Sequence, residues 1–402
     1  MRQGAPTGSL TACRLCPERV FRRSTLGWRR LGEESPSAAS GLWNRTRSWL
    51  WVLALLLVGC APTPTTPILD GGRKAIPLLA YYYIWFDPPM WGRAKVDYPL
   101  LGRYSSDDRE VMQQHVGWAK EAGIDGFIVS WKSTEKLNRR LEQLMEIARA
   151  EGLKLAIIYQ GLDVEREPLP IDRIASDLDL LRDRYAEDPV FDLFGLPLVI
   201  WSGTWMFSPE EVAEVVNPRR EHLLILASER NMEGYDRLQD LVDGNAYYWS
   251  SVNPETFPGY QEKLEQMGRM VHANGGLWIA PAAPGFDARL VGGTRVVERQ
   301  DGGTLRGQME AALRSSPDAI GLISWNEFSE NTHIEPSEKY GTRYVEVIAA
   351  MRLGAVPEIL DFESSEPAET TAPDWGRALA LAAMALLMAG SLAAIVLRRQ
   401  PA

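Results

Sequence analysis

The chain has 402 residues, 45% of them apolar and 24% charged, which are the proportions of an ordinary globular protein. A formal net charge of −10 argues against nucleic acid as a partner, because a phosphate backbone calls for a basic field. The three cysteines, Cys13, Cys16 and Cys60, all precede the globular region, so no disulfide braces it and it must rest on its own core.

Cys13 and Cys16 have the spacing of a metal knuckle, but no second pair follows, and the pair reads as incidental. Residues 49–59 (WLWVLALLLVG) form an apolar run behind Arg45 and Arg47, too short to span a membrane comfortably but suited to the core of a secretory signal. The run ends at Cys60 in a sequence resembling a lipoprotein cleavage site, which makes Cys60 a candidate for lipidation, with a plain signal peptide or an uncleaved anchor as the alternative. Residues 1–60 are therefore set aside, with a mis-assigned start codon as one explanation of their length, and 61–71, rich in Pro and Thr, read as a tether. At the other end, 359–377 read as an acidic stalk. Residues 378–397 are uncharged and rich in Ala and Leu, with Arg398 and Arg399 behind them, the pattern of a transmembrane helix whose basic end stays in the cytoplasm. The expected location is extracytoplasmic, with the membrane as a partner at both ends.

Between the tethers, over 72–358, apolar runs alternate with amphipathic ones. Strands are expected at 76–83, 124–131, 154–159, 196–201, 223–227, 246–249, 277–280 and 320–325. Helices are expected at 107–122, 137–151, 171–184, 209–216, 235–241, 260–273, 305–315 and 343–352, the first with Ser105 and Ser106 as caps. This alternation predicts an α/β fold, a (β/α)8 TIM barrel, typically about 250 residues with room for insertions. The rival, a doubly wound open sheet, lacks a Gly-rich phosphate loop after its first strand.

Active sites of such barrels lie at the carboxyl ends of the strands. Trp85, Trp131, Trp201, Trp249 and Trp325 stand at or just beyond five of those ends, with Tyr81, Tyr82, Tyr83, Tyr159, Tyr247 and Tyr248 at the same level. Aromatic faces around a polar mouth suit sugar rings, although any one of these aromatics also fits the core. Gln160, Asp163, Glu229, Arg230 and Asp287 collect at the same rim. The long loop 86–104, carrying Trp91, Arg93, Lys95 and Asp97, is placed to wall one side.

The last strand runs into Ser324-Trp325-Asn326-Glu327-Phe328-Ser329-Glu330. On a helical turn two residues three apart have Cβ atoms about 5–6 Å apart. That suits a pair of carboxylates cutting a glycosidic bond with retention, where about 5–5.5 Å is usual. A solvated acidic loop fits the same residues.

Five stretches in order, AYYYIW at 80–85, GRYSSDD at 102–108, AGIDGFIVSW at 122–131, PGFD at 284–287 and ISWNEFSENTHIEP at 323–336, resemble glycoside hydrolase family 99, the endo-α-mannosidases and endo-α-mannanases. The related family 71 of endo-α-1,3-glucanases and family-99-like domains are similar too. The resemblance implies a metal-independent, cofactor-free, retaining endo-hydrolase of an α-linked oligo- or polysaccharide, working through a 1,2-anhydro sugar. It implies Glu327 as the base on the substrate 2-hydroxyl and Glu330 as the acid/base on the leaving oxygen. It also implies tyrosines of the first and sixth strands, matched to Tyr82 and Tyr248, around the reacting sugar. Trp85, Trp131, Trp249, Trp325, Asn326 and Asp287 complete the expected sugar-binding set. The closing motif departs from the family's at Phe328, Ser329, Asn331 and His333, where the family has Trp, His, Gly and Gln. Three alternatives stand beside this reading: an α-glucan-specific hydrolase, a carbohydrate-binding barrel without turnover, and a metal-dependent hydrolase using His333 with Glu327 or Glu330.

Overall fold

The computed structural model describes residues 75–352, apart from 94, 290 and 291. Eight parallel strands close into a barrel: β1 (Leu78–Tyr83), β2 (Gly126–Trp131), β3 (Lys154–Gln160), β4 (Leu198–Ser202), β5 (Leu224–Ala227), β6 (Gly244–Ala246), β7 (Leu277–Ala282) and β10 (Ala319–Leu322). A short antiparallel ribbon, β8 (Phe286–Asp287) with β9 (Val296–Val297), is inserted between β7 and β10. The barrel closes where β10 pairs with β1, Leu78 opposite Ile320 and Ala80 opposite Leu322. The helices are α1 (Arg109–Glu121), α2 (Glu135–Glu151), α3 (Ile171–Arg184), α4 (Pro209–Val216), α5 (Met232–Asp236), α6 (Tyr260–Ala273), α7 (Gly303–Arg314) and α8 (Arg343–Arg352).

Local chemistry sets the helix ends. Asp108, not the serines expected, caps α1 by accepting from the N–H groups of Glu110 (3.0 Å) and Val111 (3.4 Å). Ser208 and Glu211 form a reciprocal capping box on α4. Asn231 accepts from Gly234 N–H (2.8 Å), which starts α5 three residues before the expected 235 and spends it in a single turn. The sixth strand also begins earlier than 246, at Gly244, where any Cβ would lie 2.0 Å from the Leu277 carbonyl oxygen. A glycine there lets β6 approach β7 closely, a start that apolar periodicity does not announce.

Two apolar shells follow from the period-two alternation of strand side chains. Leu79, Tyr81, Ile128, Ile158, Ile200, Leu226, Ile279 and Ala319 fill the barrel interior. The alternate residues, among them Ala80, Tyr82, Val129, Trp131, Trp201 and Leu322, meet the helices in a larger outer shell. Small residues make room for the interior tyrosines: a Cβ on Gly321 would lie 2.9 Å from the Tyr81 ring.

The long loop after β1 has a core of its own. Trp91 is fully buried, stacked on Phe86 (4.6 Å), edge-on to Phe328 (5.5 Å), and donates to the Tyr104 carbonyl (2.7 Å). The loop is thereby fastened over the segment after β10. The segments read as signal, lipidation site (Cys60), stalk and transmembrane helix (378–397) lie outside the described residues. Among the described residues no helix is long and apolar enough to cross a membrane.

Candidate active site

After β10 the chain folds back on itself. Ser324 N–H donates to the Thr332 carbonyl (2.9 Å), Ile334 N–H to the Ser324 carbonyl (2.9 Å), and Glu335 N–H to the Trp325 carbonyl (2.9 Å). The two arms present residues 327–331 at the tip. Ser324 Oγ accepts from Glu327 N–H (2.8 Å), and Asp287 N–H donates to the Glu330 carbonyl (2.8 Å), so the segment leaving β10 and the inserted ribbon both hold the tip. From below, the buried Arg299 donates to the carbonyls of Asn331 and His333, each at 2.9 Å, its guanidinium resting on the rings of Tyr340 and Tyr344. Asn326 ties the segment to the first strand: Tyr83 N–H donates to its Oδ1 (2.8 Å), and its Nδ2 donates to the Tyr83 carbonyl (2.9 Å).

The two carboxyls at the tip differ in their surroundings. Burial, and then the charge of Glu327, push Glu330 up to about 7, with Arg166 acting the other way. Burial also raises Glu327, but Ser329 N–H donates to its Oε1 (2.9 Å) and the Lys95 ammonium, which donates to Ser329 Oγ (3.2 Å), favours its ionised form. One carboxyl is thus disposed to keep its proton near neutrality and the other has charge-stabilising partners. That is the division of labour a general acid and a general base require. Beside them, the hydroxyls of Tyr83 and Tyr248 hydrogen-bond to each other. Burial, reinforced by the negative charges of Glu327 and Glu330, holds both phenols well above the ordinary tyrosine range, so both stay protonated as donors.

The model of glycosyl hydrolase family 99 matches residues 93–348, well over half of the chain and all of the site except β1. The chain belongs to glycosyl hydrolase family 99. Among curated relatives, a human glycoprotein endo-alpha-1,2-mannosidase-like protein is 24% identical over 59% of this chain and 56% of its own length. The rat glycoprotein endo-alpha-1,2-mannosidase is 22% identical over 62% and 59%. The chain therefore spans a little over half the length of the curated relatives it matches. The solved GH99 endo-alpha-mannosidase from Bacteroides thetaiotaomicron superposes with a TM-score of 0.62 at 19% identity, covering 71% of this chain and 98% of that one, a likeness of fold.

The family-99 tip explains one departure from the family motif. Asn331 has a left-handed backbone (φ 52°), a conformation that suits the family's glycine and that asparagine tolerates better than most residues. Phe328 and His333, also departures, stack on each other at 4.0 Å.

The structure brings together only part of the expected sugar-binding set. Tyr248 faces the carboxyls from the barrel interior, and Trp85 stacks on Tyr83 at 4.5 Å. Tyr82 does not: alternation turns it outward, where it stacks on Phe127 and hydrogen-bonds to His115 (3.0 Å), and its neighbour Tyr83 takes the interior place. Trp131, Trp201, Trp249 and Trp325 likewise pack in the outer shell, Trp131 donating to Asn138 (2.9 Å) and Trp249 stacking on Tyr247 (4.3 Å). Asn326 is buried and committed to the Tyr83 backbone, while Asp287 accepts two hydrogen bonds from the Arg289 guanidinium, at 2.9 and 2.6 Å. Tyr83, expected at the level of the rim but not among the sugar-binding residues, and Arg166, not expected there at all, both act on this site. Counting by twos from Leu79 would have found the first; nothing local singles out the second.

His333 does not face the carboxyl pair. Its Nε2 meets Asp97 (3.0 Å) and its Nδ1 lies 3.5 Å from Arg299, which commits both ring nitrogens within the loop. Burial and the Arg299 charge lower it to about 3, so the ring is a neutral donor to Asp97. Among the described residues no group of three or more His, Cys, Asp or Glu is arranged to hold a metal ion. Glu335, from the same motif, accepts from Tyr104 (2.9 Å) and pairs with His115 (3.0 Å), a buried brace beneath the tip.

Proposed function

We propose that this chain is a retaining, endo-acting glycoside hydrolase of an α-linked glycan, with an α-mannoside as the favoured substrate. The observation that carries the reading is the pair of carboxyls on one loop tip whose surroundings set them apart, Glu330 pushed up to about 7 and Glu327 supported as an anion by Ser329 and Lys95. Membership of family 99 and the mannosidase relatives favour the substrate class.

In the first step the Glu327 carboxylate takes the proton of the sugar 2-hydroxyl as that oxygen attacks C1. The glycosidic bond breaks, and the leaving oxygen takes the proton of Glu330. In the second step the Glu330 carboxylate takes a proton from water, whose oxygen opens the 1,2-anhydro ring at C1 while Glu327 returns its proton to O2. Two inversions at C1 give net retention. The Tyr83 and Tyr248 hydroxyls are donors for the oxygens around that centre. The chain is further proposed to work outside the cytoplasmic membrane, at the cell surface or the periplasmic face, on the strength of Cys60 and the apolar segment 378–397; protease added to spheroplasts would leave the domain untouched if that location were wrong.

The test is a screen of the purified chain on α-mannans, α-glucans and glucosylated mannosides, with the product anomer followed by NMR. A retained α-anomer is expected, and it should be absent with Glu327→Gln and Glu330→Gln, since each acid–base group supplies about 10²–10⁴-fold. Inversion, or near-normal turnover by either variant, would refute the assignment.

A further inference from the structure

Among the described residues three arginines are buried, and two of them rest on carboxylates, Arg140 on Asp107 and Arg219 on Asp179. Arg299 is the exception: among the described residues no carboxylate pairs with it. Its guanidinium lies 4.4 Å from the ring centroids of both Tyr340 and Tyr344, and a single nitrogen, Nη2, donates to the Asn331 and His333 carbonyls at 2.9 Å each. Desolvating a guanidinium that no carboxylate offsets is a costly way to fill space. What the arrangement yields is a grip on the tip.

That grip falls beside Glu330. Asn331 follows it and turns through a left-handed backbone (φ 52°), so the carbonyls on either side of this turn set the direction in which the Glu330 side chain leaves the chain. Arg299 holds the second of those carbonyls; the first, that of Glu330 itself, accepts from Asp287 N–H (2.8 Å). Both donors come from one ribbon, Asp287 in β8 and Arg299 two residues past β9, in a register fixed by Phe286 opposite Val297. The ribbon is anchored to α7, where the buried Gln308 accepts from Ala283 N–H (2.8 Å). Gly285 keeps the path of the arginine open: a Cβ there would lie 2.5 Å from Arg299 Cγ and 2.8 Å from the Val297 carbonyl oxygen. Glu327 is held differently, from within its own segment, by Ser324 Oγ and Ser329 N–H. The ribbon therefore acts on one carboxyl of the pair.

We infer that Arg299 is a positioning residue for the proton donor: together with Asp287 N–H it aims the Glu330 carboxyl at the leaving oxygen and then at water, and Gly285 admits its side chain. The inference rests on the hydrolase reading of the site.

The experiment uses the full chain carrying Arg299→Met, which removes the donors, and Arg299→Lys, which keeps the charge and the stem and carries the test if the first variant does not fold. Two routes are compared. On α-linked mannotetraose and glucotetraose the leaving group is a sugar oxygen that needs the proton of Glu330. On α-mannobiosyl and α-glucobiosyl fluorides with added azide, fluoride departs with its bonding electrons while Glu327 takes the proton of the 2-hydroxyl. Azide then opens the 1,2-anhydro ring at C1 as Glu327 returns that proton to O2, so Glu330 is bypassed in both steps. On the tetraoses kcat should fall about 10²-fold with KM within a few-fold of the parent, the cost of misplacing a reacting group by about 1 Å. On the fluorides with azide the variants should match the parent. An equal loss on both routes, the mark of a loosened fold, or an unchanged kcat on the tetraoses would overturn this inference alone. A parent chain inert toward all four sugars would refute the hydrolase reading, and this role with it.

Discussion

Replacing Glu330 with Gln isolates the electrostatic condition of the site from its chemistry. The amide keeps the volume and hydrogen-bonding capacity of the side chain and removes only its ionisation. Glu330 is pushed up from its ordinary value of 4.5 to about 7 in the folded chain. Because the folded value is the higher one, its contribution to stability is complete below about 4.5 and is lost as pH rises through about 7. Linkage then makes the parent chain lose about 2–3 kcal/mol through this one group between pH 5 and pH 8. Urea denaturation followed by tryptophan fluorescence should show Glu330→Gln matching the parent near pH 5. It should become about 2–3 kcal/mol more stable near pH 8, a difference of roughly 5 °C in melting temperature for a domain of this size. A stability difference that stays flat across this range would refute the claim that burial beside Glu327 holds Glu330 protonated.

The activity of the parent chain should trace a bell in kcat/KM, its alkaline limb near 7 from Glu330 and its acid limb from Glu327. Lys95→Gln removes a charge that favours ionised Glu327, and should move the acid limb upward by about one unit; an unmoved limb would separate Lys95 from the pair. Tyr83→Phe should depress turnover with little change in stability, whereas Tyr82→Phe should leave turnover within a few-fold and cost about 1–3 kcal/mol, because it strands the buried His115; the opposite pattern in paired kinetic and melting measurements would restore Tyr82 to the site. Asn326→Ala, which leaves the N–H and carbonyl of Tyr83 unpaired, should destabilise by about 1–3 kcal/mol and also lower kcat; a loss of stability alone would show that the clamp does not position the tyrosine.

The barrel was legible because parallel strands buried on both faces leave continuous apolar runs, separated by amphipathic runs of helical period. The same continuity concealed which way each side chain points. With no polar alternation to fix a face, the tryptophans at five strand ends read as one aromatic rim, yet Trp131, Trp201, Trp249 and Trp325 lie in the outer shell and Trp85 alone of the five stacks on Tyr83. A single-residue shift in phase exchanged Tyr82 for Tyr83. The carboxyl pair was legible because both glutamates sit in one short motif, so no long-range geometry was needed to bring them together. Arg166, in contrast, is tied to Glu330 only through the closed barrel, and Lys95 through a loop whose path depends on the burial of Trp91.

The Asn326 clamp joins the two strands that are farthest apart in the chain. Among the described residues Tyr83 belongs to the first barrel strand, and Asn326, Glu327 and Glu330 follow the last, so the residues proposed for catalysis come together only once β10 has docked against β1. On the proposed assignment, catalytic competence and closure of the barrel are one event. A partly folded chain with its early strands and helices already packed is then expected to be inert, which would make turnover a direct readout of how many chains have completed the ring.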